Sequence, residues 1–515
     1  MKKLLTLLVF MFWVISRAQT ITYSKAYGDS TNSYGNISAD GMVAAVDNGV
    51  VFIAQNYIGG LIFKTDTLGK PVWNTVVLYD TTISPSINLN SIAATKDSGY
   101  IIGGEVYNPV STNFDALILK LNKQGNVLWA KNIENSSYSE INILSIQTCK
   151  DSGYVMTGYA TSSTQYNFNA KLDKNGNLIW ANYLLCENYM LGHSIKQAPD
   201  GGYIVAGAVG NNASINSTYL VKLTSNGSVS WLKTYNNNTA NESSYANDVV
   251  ITKNNFVMYL NSNGIDVLTK TDSLGNIAWS KSYFNYDSPT STGQSTPNLC
   301  QTNDGGYAFG ALTKVDSLGN IIFGKTAWLE YADLIQTKDK GFLILAGMPI
   351  PGVRLTMFSY LQDIYVSKMD SMGNGAALCY QNDPYTATLY TIIAAPGVFS
   401  VSSGGIINTL TLTVKTILIS AHNTCVPPSG GIEKYNNSGN NFSIYPNPTN
   451  TTLNLQMSQF DNLKMPDVEV TNTLGEAVYH SQIATSPNYQ IDVSTLPAGV
   501  YFIRVGTATQ KFVKQ

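Results

Sequence analysis

The sequence predicts an all-β fold made of one short unit repeated around a ring, and three observations predict it. The first is composition: 42 glycines, 32 tyrosines and many Asn, Ser and Thr among 515 residues suit strands and tight reversals better than helices. The second is a recurring stretch, KLNKQGNVLWAKNI from Lys120, which returns as KLDKNGNLIWANYL from Lys171, KLTSNGSVSWLKTY from Lys222 and KTDSLGNIAWSKSY from Lys270. More diverged copies start at Lys64, Lys314 and Lys368. The third is a glycine turn ahead of each copy: DSGYIIGG from Asp97, DSGYVMTG from Asp151, DGGYIVAG from Asp200, DGGYAFG from Asp304 and DKGFLILAG from Asp339, with weaker versions at Asp47 and Lys253.

At the N-terminus, Lys2 and Lys3 precede an apolar run from Leu4 to Ile15 and then Ser16-Arg17-Ala18. This is the pattern of a signal peptide, residues 1–18, removed after Ala18. The run is too short for a spanning helix, which needs roughly 20 residues. No later stretch is apolar for long enough to cross a bilayer as a helix, so no transmembrane segment is expected in the mature chain.

Each copy reads as a hairpin of an alternating strand, a Gly/Asn turn and a second strand with an aromatic residue. That residue is Trp73, Trp129, Trp180, Trp231, Trp279 or Phe323, always nine positions after the lysine. With period 2 along a strand, a fixed offset puts all of them on one face, as core residues. The glycine turn and the strands around it bring the unit to four strands in roughly 50 residues, the content of a propeller blade. The last lysine strand, DIYVSKMDSMGN from Asp363, lacks its aromatic partner, and ITYSKAY from Ile21 resembles IAWSKSY from Ile277 but has no strand before it. Joined, they complete a seven-bladed β-propeller over residues 19–374, closed by both chain ends without a free sheet edge. Binding is expected in the loops of varying length, Tyr107 to Phe114, Val209 to Tyr219 and Pro349 to Gln362.

Residues 375–426 are rich in Thr, Val and Ile and include TLTLTVKTILIS from Thr409; they do not match the repeat and read as a small β appendage. A linker, PPSGGIEKYNNSGNN, covers 427–441. From 442 to 515, alternating stretches separated by Pro, Asn and Gly turns predict a compact β-sandwich.

This tail carries Tyr445-Pro446-Asn447-Pro448, Leu474-Gly475-Glu476, then Leu496, Pro497, Gly499, Tyr501 and Arg504 of LPAGVYFIR, and Lys511 in a final basic strand. In that order they resemble the type A C-terminal sorting domain of the type IX (Por) secretion system of Bacteroidetes. The resemblance implies a cargo that crosses the inner membrane by the Sec route, meets the type IX machinery in the periplasm through its tail, and crosses the outer membrane. It also implies a sortase as partner, cutting in or near the linker from Ser429 to Asn441, and a product that is secreted or held at the cell surface. The repeats resemble those of propeller cargo proteins.

Only 12% of residues are charged and the formal net charge is −2, so nothing favours nucleic acid as a partner. Of five cysteines, Cys379 and Cys425 flank one segment and are the candidate disulfide; Cys149 and Cys300 precede equivalent glycine turns and read as small buried residues. The three histidines, His193, His422 and His480, are scattered, no CxxC occurs, and no metal, cofactor or catalytic set is predicted. Asp97, Asp151, Asp200 and Asp304 recur once per unit and read as turn residues. The leading expectation is a non-catalytic binding or adhesion module for an extracellular glycan or protein. The alternative is a polysaccharide hydrolase or lyase with acidic residues at the ring's mouth, and a purely structural surface module is a third reading.

The triplets Asp66-Thr67-Leu68, Asp272-Ser273-Leu274, Asp316-Ser317-Leu318 and Asp370-Ser371-Met372 resemble the Bacteroidetes O-glycosylation acceptor, at Thr67, Ser273, Ser317 and Ser371, although turn chemistry alone accounts for the same residues. The intact mass of the exported protein reports all the processing steps together. Loss of residues 1–18 and loss of the tail are expected; a further surplus of mass would establish the glycans, and a mass equal to the bare trimmed chain rules them out.

Overall fold

The computed structural model describes residues 22–28, 38–55, 59–78, 87–186, 189–211, 214–236, 244–253, 255–262, 265–284, 299–310, 312–326, 330–354, 360–375, 381–382, 386–389, 393–396, 399–410, 413–415, 420–423, 442–457, 467–472, 477–482, 488–505 and 508–515. The signal segment, the linker, Cys379, Cys425 and Leu474-Gly475-Glu476 lie outside them. Every regular element among the described residues is a β-strand, and the chain divides into two compact units, Met1–Cys425 and Val426–Gln515.

The larger unit is propeller-like. Its second repeat shows the pattern: Ile87–Ala94, Tyr100–Asn108, Asn113–Leu121 and Val127–Glu134 pair antiparallel in chain order. The sister repeats span Ser38–Leu78 (first), Glu140–Cys186 (third), Tyr189–Asn236 (fourth), Ser244–Phe284 (fifth) and Cys300–Thr326 (sixth). In the last, Glu330–Gln336, Phe342–Arg354 and Tyr360–Met369 are joined by Tyr23–Gly28 from the other end of the chain, so the sheet that the sequence leaves incomplete is completed by the N-terminal strand. Two of the expected loops are mostly strand, since Tyr203–Asn211 runs into Ser214–Leu223 and Phe342–Arg354 reaches Tyr360 as long hairpins.

The spacing of nine has a simple cause. Across the hairpin, lysine and aromatic are direct partners: Lys64 with Trp73, Lys120 with Trp129, Lys171 with Trp180, Lys222 with Trp231, Lys270 with Trp279 and Lys314 with Phe323. In the last repeat Lys368 faces Tyr23, so the N-terminal strand enters in the same register. Each aromatic then packs on the hairpin glycine of the next repeat. A Cβ on Gly125 would lie 2.6 Å from the Trp73 ring, on Gly176 2.9 Å from Trp129, on Gly227 2.7 Å from Trp180 and on Gly373 2.7 Å from Phe323. Trp231 and Trp279 meet Gly275 and Gly319 in the same way, and Tyr23 of the last repeat meets Gly69 of the first at 2.7 Å. These glycines all have φ between +70° and +85°, a region costly for side chains.

Beneath the other turn, the lysine is nearly buried and its ammonium meets the aspartate of Asp-x-Gly: Lys120–Asp97 2.9 Å, Lys171–Asp151 3.0 Å, Lys222–Asp200 2.7 Å, Lys314–Asp304 2.9 Å, Lys368–Asp339 3.0 Å, and Lys64–Asp47. The same carboxylates accept the N–H of the turn glycine, at 3.1 Å for Gly99 and 2.9 Å for Gly153. Partial burial opposes ionisation of Asp304, but hydrogen bonds from Thr302, Lys314 and the Gly306 N–H outweigh it and hold the carboxyl at about 2. The aspartates are turn residues, as their repetition suggested, and they also neutralise a buried cation.

The segment expected as an appendage forms no sheet of its own among the described residues. Its strands instead lie outermost on the repeats, in reverse chain order: Gln381–Asn382 on the sixth, Thr386–Leu389 on the fifth, Ile393–Pro396 on the fourth, Phe399–Ser403 on the third, Ile406–Leu410 on the second, Thr413–Lys415 on the first and Ser420–Asn423 on Tyr23–Gly28. The cause is the open edge of each fourth strand, whose unpaired N–H and C=O groups these strands satisfy.

In the C-terminal unit, Phe442–Tyr445, Thr452–Met457 and Asn488–Asp492 form one sheet, and Asp467–Thr471, Ala477–Gln482, Gly499–Val505 and Ala508–Lys514 another. Leu453, Leu455, Val468, Val470, Ile491, Ile503 and Phe512 form their common core, as in a sandwich.

Two glycines with similar φ separate backbone strain from packing. Gly201 (φ +87°) has open space around its Cβ position, whereas Gly125 (φ +84°) faces Trp73. Gly201→Ala is expected to cost about 1 kcal/mol and Gly125→Ala at least about 2 kcal/mol more, read from urea midpoints. Equal losses would show that the ring-on-glycine contact carries no weight.

Candidate functional site

At the end of the repeats away from both glycine turns, second strands finish and the next first strands begin, and here the second and third repeats bring two carboxylates together. Glu105 lies near the end of Tyr100–Asn108, directly across from Asn88, whose amide it accepts at 2.5 Å. Glu140 opens the first strand of the third repeat and accepts the Tyr159 hydroxyl at 2.7 Å and the Thr161 hydroxyl at 3.2 Å. Gln55 of the first repeat donates to Asn88 Oδ1, extending the network over three repeats. Asn90 and Asn142 continue it, with Asn90 Nδ2 2.6 Å from Asn142 Oδ1 and Asn142 Nδ2 3.4 Å from the Tyr159 hydroxyl.

Glu105 is buried, at 6% exposure, and its Oε2 accepts no hydrogen bond. Burial pushes its carboxyl up to about 7; the Asn88 amide opposes this and the neighbouring Glu140 adds to it. A proton held by Glu105 gives its Oε2 a hydrogen-bond donor that the neighbouring side chains do not supply. Gln55, Asn88, Asn90, Glu140, Tyr159 and Thr161 remain partly exposed around it. The arrangement offers donors and acceptors to a polar ligand, while both Glu140 oxygens are already engaged within the chain.

Two further acids stand near the same end of their repeats. Asp115 accepts amides from Asn132 at 2.6 Å and Asn108 at 2.9 Å, and burial raises its carboxyl. Asp266 accepts the Tyr259 hydroxyl at 2.6 Å, and burial pushes it up to about 6. His193 stands at a β-bulge of its first strand, with Nδ1 2.7 Å from the Ala246 carbonyl and its ring edge-on to Tyr245. Its partners among the described residues, the Ala246 carbonyl and the Tyr245 ring, form no catalytic set. Among the described residues no three His, Cys, Asp or Glu side chains gather as a metal site would require.

Sequence reasoning missed Glu105, Glu140 and Tyr159. A signal existed, because Glu105 and Tyr159 follow the same glycine of their repeats and stand where the fourth has Ala208. Cys149 is buried as expected, and Cys300 is partly exposed. Thr67, Ser273, Ser317 and Ser371 all project at exposed hairpin tips, each followed by an exposed apolar residue: Leu68, Leu274, Leu318 and Met372.

In the tail, the described motif residues converge. Asn447 of YPNP donates to the Lys511 carbonyl and accepts the Val513 N–H, each at 2.9 Å, tying the motif to the final basic strand. The Tyr501 hydroxyl bonds the Pro497 carbonyl at 2.9 Å, and Arg504 meets Glu469 at 2.6 Å.

Residues 443–515 match the family described as the secretion system C-terminal sorting domain (Por). The tail thus marks the chain as cargo of the type IX system, exported across the outer membrane to the cell surface or the medium. No curated protein matches the chain. Among solved structures, a gluconolactonase of Xanthomonas campestris aligns at 8% identity over 68% of this chain and 95% of that one, with a TM-score of 0.32. TcdA4 of Morganella morganii aligns at 10% identity over 71% of this chain and 21% of that one, with a TM-score of 0.16. Neither likeness is close enough to carry a function.

The acid pair has a pH signature. A carboxyl raised from 4.5 to about 7 on folding contributes stability that is complete below about pH 4.5 and lost as pH rises through 7, a span worth on the order of 3 kcal/mol. Glu105→Gln, which keeps the shape and one donor, is expected to flatten urea stability across that interval. An unchanged slope would mean that Glu105 does not hold the proton.

Proposed function

We propose that the exported chain is a closed, seven-bladed propeller that binds a polyhydroxylated extracellular ligand, in the first place a glycan, without chemically altering it. The closed ring is supported by Tyr23 on Gly69, by the 2.7 Å bond from the Met42 N–H to Asp333, and by a core in which Met42 and Phe52 of the first repeat share a cluster with Leu345 and Val366 of the last. Residues 19–374 supply the blades and 375–426 gird them.

One observation carries the binding role, the contrast between the two ends of the repeats. The turn end repeats Asp-x-Gly and Lys almost without change. The other end is polar and differs from repeat to repeat, with Gln55, Asn88, Asn90, Glu140 and Tyr159 clustered where loops of unequal length meet. Clustered amides, hydroxyls and a carboxylate suit hydroxyl groups of a sugar, and loops on a rigid scaffold are where recognition resides.

A second reading, a polysaccharide hydrolase or lyase, has one observation in its favour, the Glu105 carboxyl raised to about 7 beside Glu140. Against it, Glu105 is buried and both oxygens of Glu140 accept bonds within the chain. One experiment addresses both. The exported protein is tested on a panel of glycans for retention and for release of reducing ends or unsaturated products. Retention without turnover, weakened at least about tenfold by Asn90→Ala or Gln55→Ala, is expected. Turnover abolished by Glu140→Gln would establish the enzyme instead, and neither retention nor turnover would leave a structural module.

A further inference from the structure

The fifth repeat departs from its sisters at the turn end, far in character from the proposed ligand face. In the other six, a five-residue turn lays an aspartate over the buried lysine; in the second, Ala94 pairs with Tyr100 across Thr95 to Gly99. In the fifth, Ile251 pairs with Phe256 and Thr252 with Asn255, so the turn is one residue shorter. Its residues, Thr252-Lys253-Asn254-Asn255, include neither the aspartate nor the glycine.

The groups that receive the carboxylate are nevertheless retained. Lys270 faces Trp279 as Lys120 faces Trp129, so its ammonium rises from the same register position. Thr252 stands where the second, sixth and last repeats have Thr95, Thr302 and Thr337, whose hydroxyls bond Asp97, Asp304 and Asp339. In the second repeat, Lys120 Nζ lies 3.0 Å from both the Thr95 hydroxyl and Asp97 Oδ1, which places lysine, threonine and carboxylate in one mutual contact. In the fifth repeat the Thr252 hydroxyl oxygen is buried and has no hydrogen-bond partner. Lys270 forms no ion pair among the described residues, and its Nζ reaches only the Ser317 carbonyl of the next repeat, at 3.5 Å. It is partly exposed where its paired counterparts are nearly buried, and Lys253 in the turn is exposed.

We infer that this turn binds a carboxylate brought by another molecule, held between the Lys270 ammonium and the Thr252 hydroxyl as the chain's own aspartates are held in the six sister repeats. The six occupied copies define the ligand chemistry. It is a planar, singly charged group on a slender carbon, such as acetate or the acid group of a uronic sugar, and not a tetrahedral dianion. A single ammonium at a partly exposed position contributes modestly, so affinity for the isolated group is on the order of millimolar.

The test uses the full mature chain and thermal unfolding in sodium acetate, sodium glucuronate, sodium phosphate and sodium chloride at matched ionic strength. Acetate is expected to raise the Tm saturably over chloride, by about 1–2 °C at ten times its dissociation constant. The gain should vanish in Lys270→Met. It should also vanish in a chain with Asn254→Asp and Asn255→Gly and a serine inserted between them, which restores the sister turn and by itself raises the Tm. Should Lys270→Met not fold, the restored turn decides alone. A response to glucuronate but not acetate keeps the site and assigns it to sugar acids. No difference between acetate and chloride, an equal response to phosphate, or an acetate response surviving the restored turn overturns the inference.

Discussion

The structure depends on one contact repeated from sheet to sheet, an aromatic ring lying on a glycine that no other residue can replace. The ring comes from the fourth strand of one repeat and the glycine from the hairpin tip of the next. Without a Cβ the backbone comes within van der Waals reach of the ring, and only glycine adopts the positive φ of the tip without strain. The carbonyl of the same glycine is then bonded from the ring's own strand, by Thr75 on Gly125, Lys131 on Gly176, Asn182 on Gly227, Tyr235 on Gly275, Tyr283 on Gly319 and Tyr27 on Gly69. The last of these comes from the N-terminal strand, which therefore acts as a full member of the series.

Stacking sheets in this way leaves a problem that the contact does not solve. Each fourth strand has one side without a partner, and a row of such edges is a template for aggregation. The chain meets it with its own residues 381–423, which visit one edge after another in reverse order. The final visit, Ser420–Asn423, lands on Tyr23–Gly28, so the N-terminal strand is held between Tyr360–Met369 on one side and the last strand of the strap on the other. Both termini of the large unit are thereby fixed in a single sheet, and pulling out either exposes the backbone of the other.

How much of this was legible follows from what each part asks of sequence. The repeat was plain because ring, hairpin glycine and lysine recur in nearly every copy and the aspartate in six of seven, and the completion of the last sheet could be read because Ile21–Tyr27 keeps the spacing of its sisters. The tail was readable for a similar reason: Asn447 must reach the chain at Lys511 and Val513, which constrains both motifs. The strap was not. Its strands are three to five residues long for the most part and are selected by main-chain bonding to an edge, which asks little of side chains. Glu105 and Glu140 were hidden for a different reason, since the strands that carry them are far apart in sequence and the pair exists only where two repeats meet.

The lysine under the glycine turn explains why the two ends of the repeats differ so much in tolerance. An ammonium buried as deeply as those of Lys120 and Lys171 must be paired, and the carboxylate that pairs it is that of the turn above it. A Cβ on Gly153 would lie 2.3 Å from Lys171 Nζ, so the turn glycine is fixed by the lysine as firmly as the aspartate is. Lysine, aspartate and glycine thus constrain one another in the six repeats that carry all three, and a change in one strands the other two. The opposite end bears no such triple constraint: a residue there can be Glu105 in one repeat and Tyr159 in the next, because the sheet beneath is already secured by its turns. Diversity at one end is possible because uniformity at the other holds the strands in register, and the fifth repeat, where the turn itself is altered and the lysine kept, can depart from the rule because its Lys270 is partly exposed to solvent.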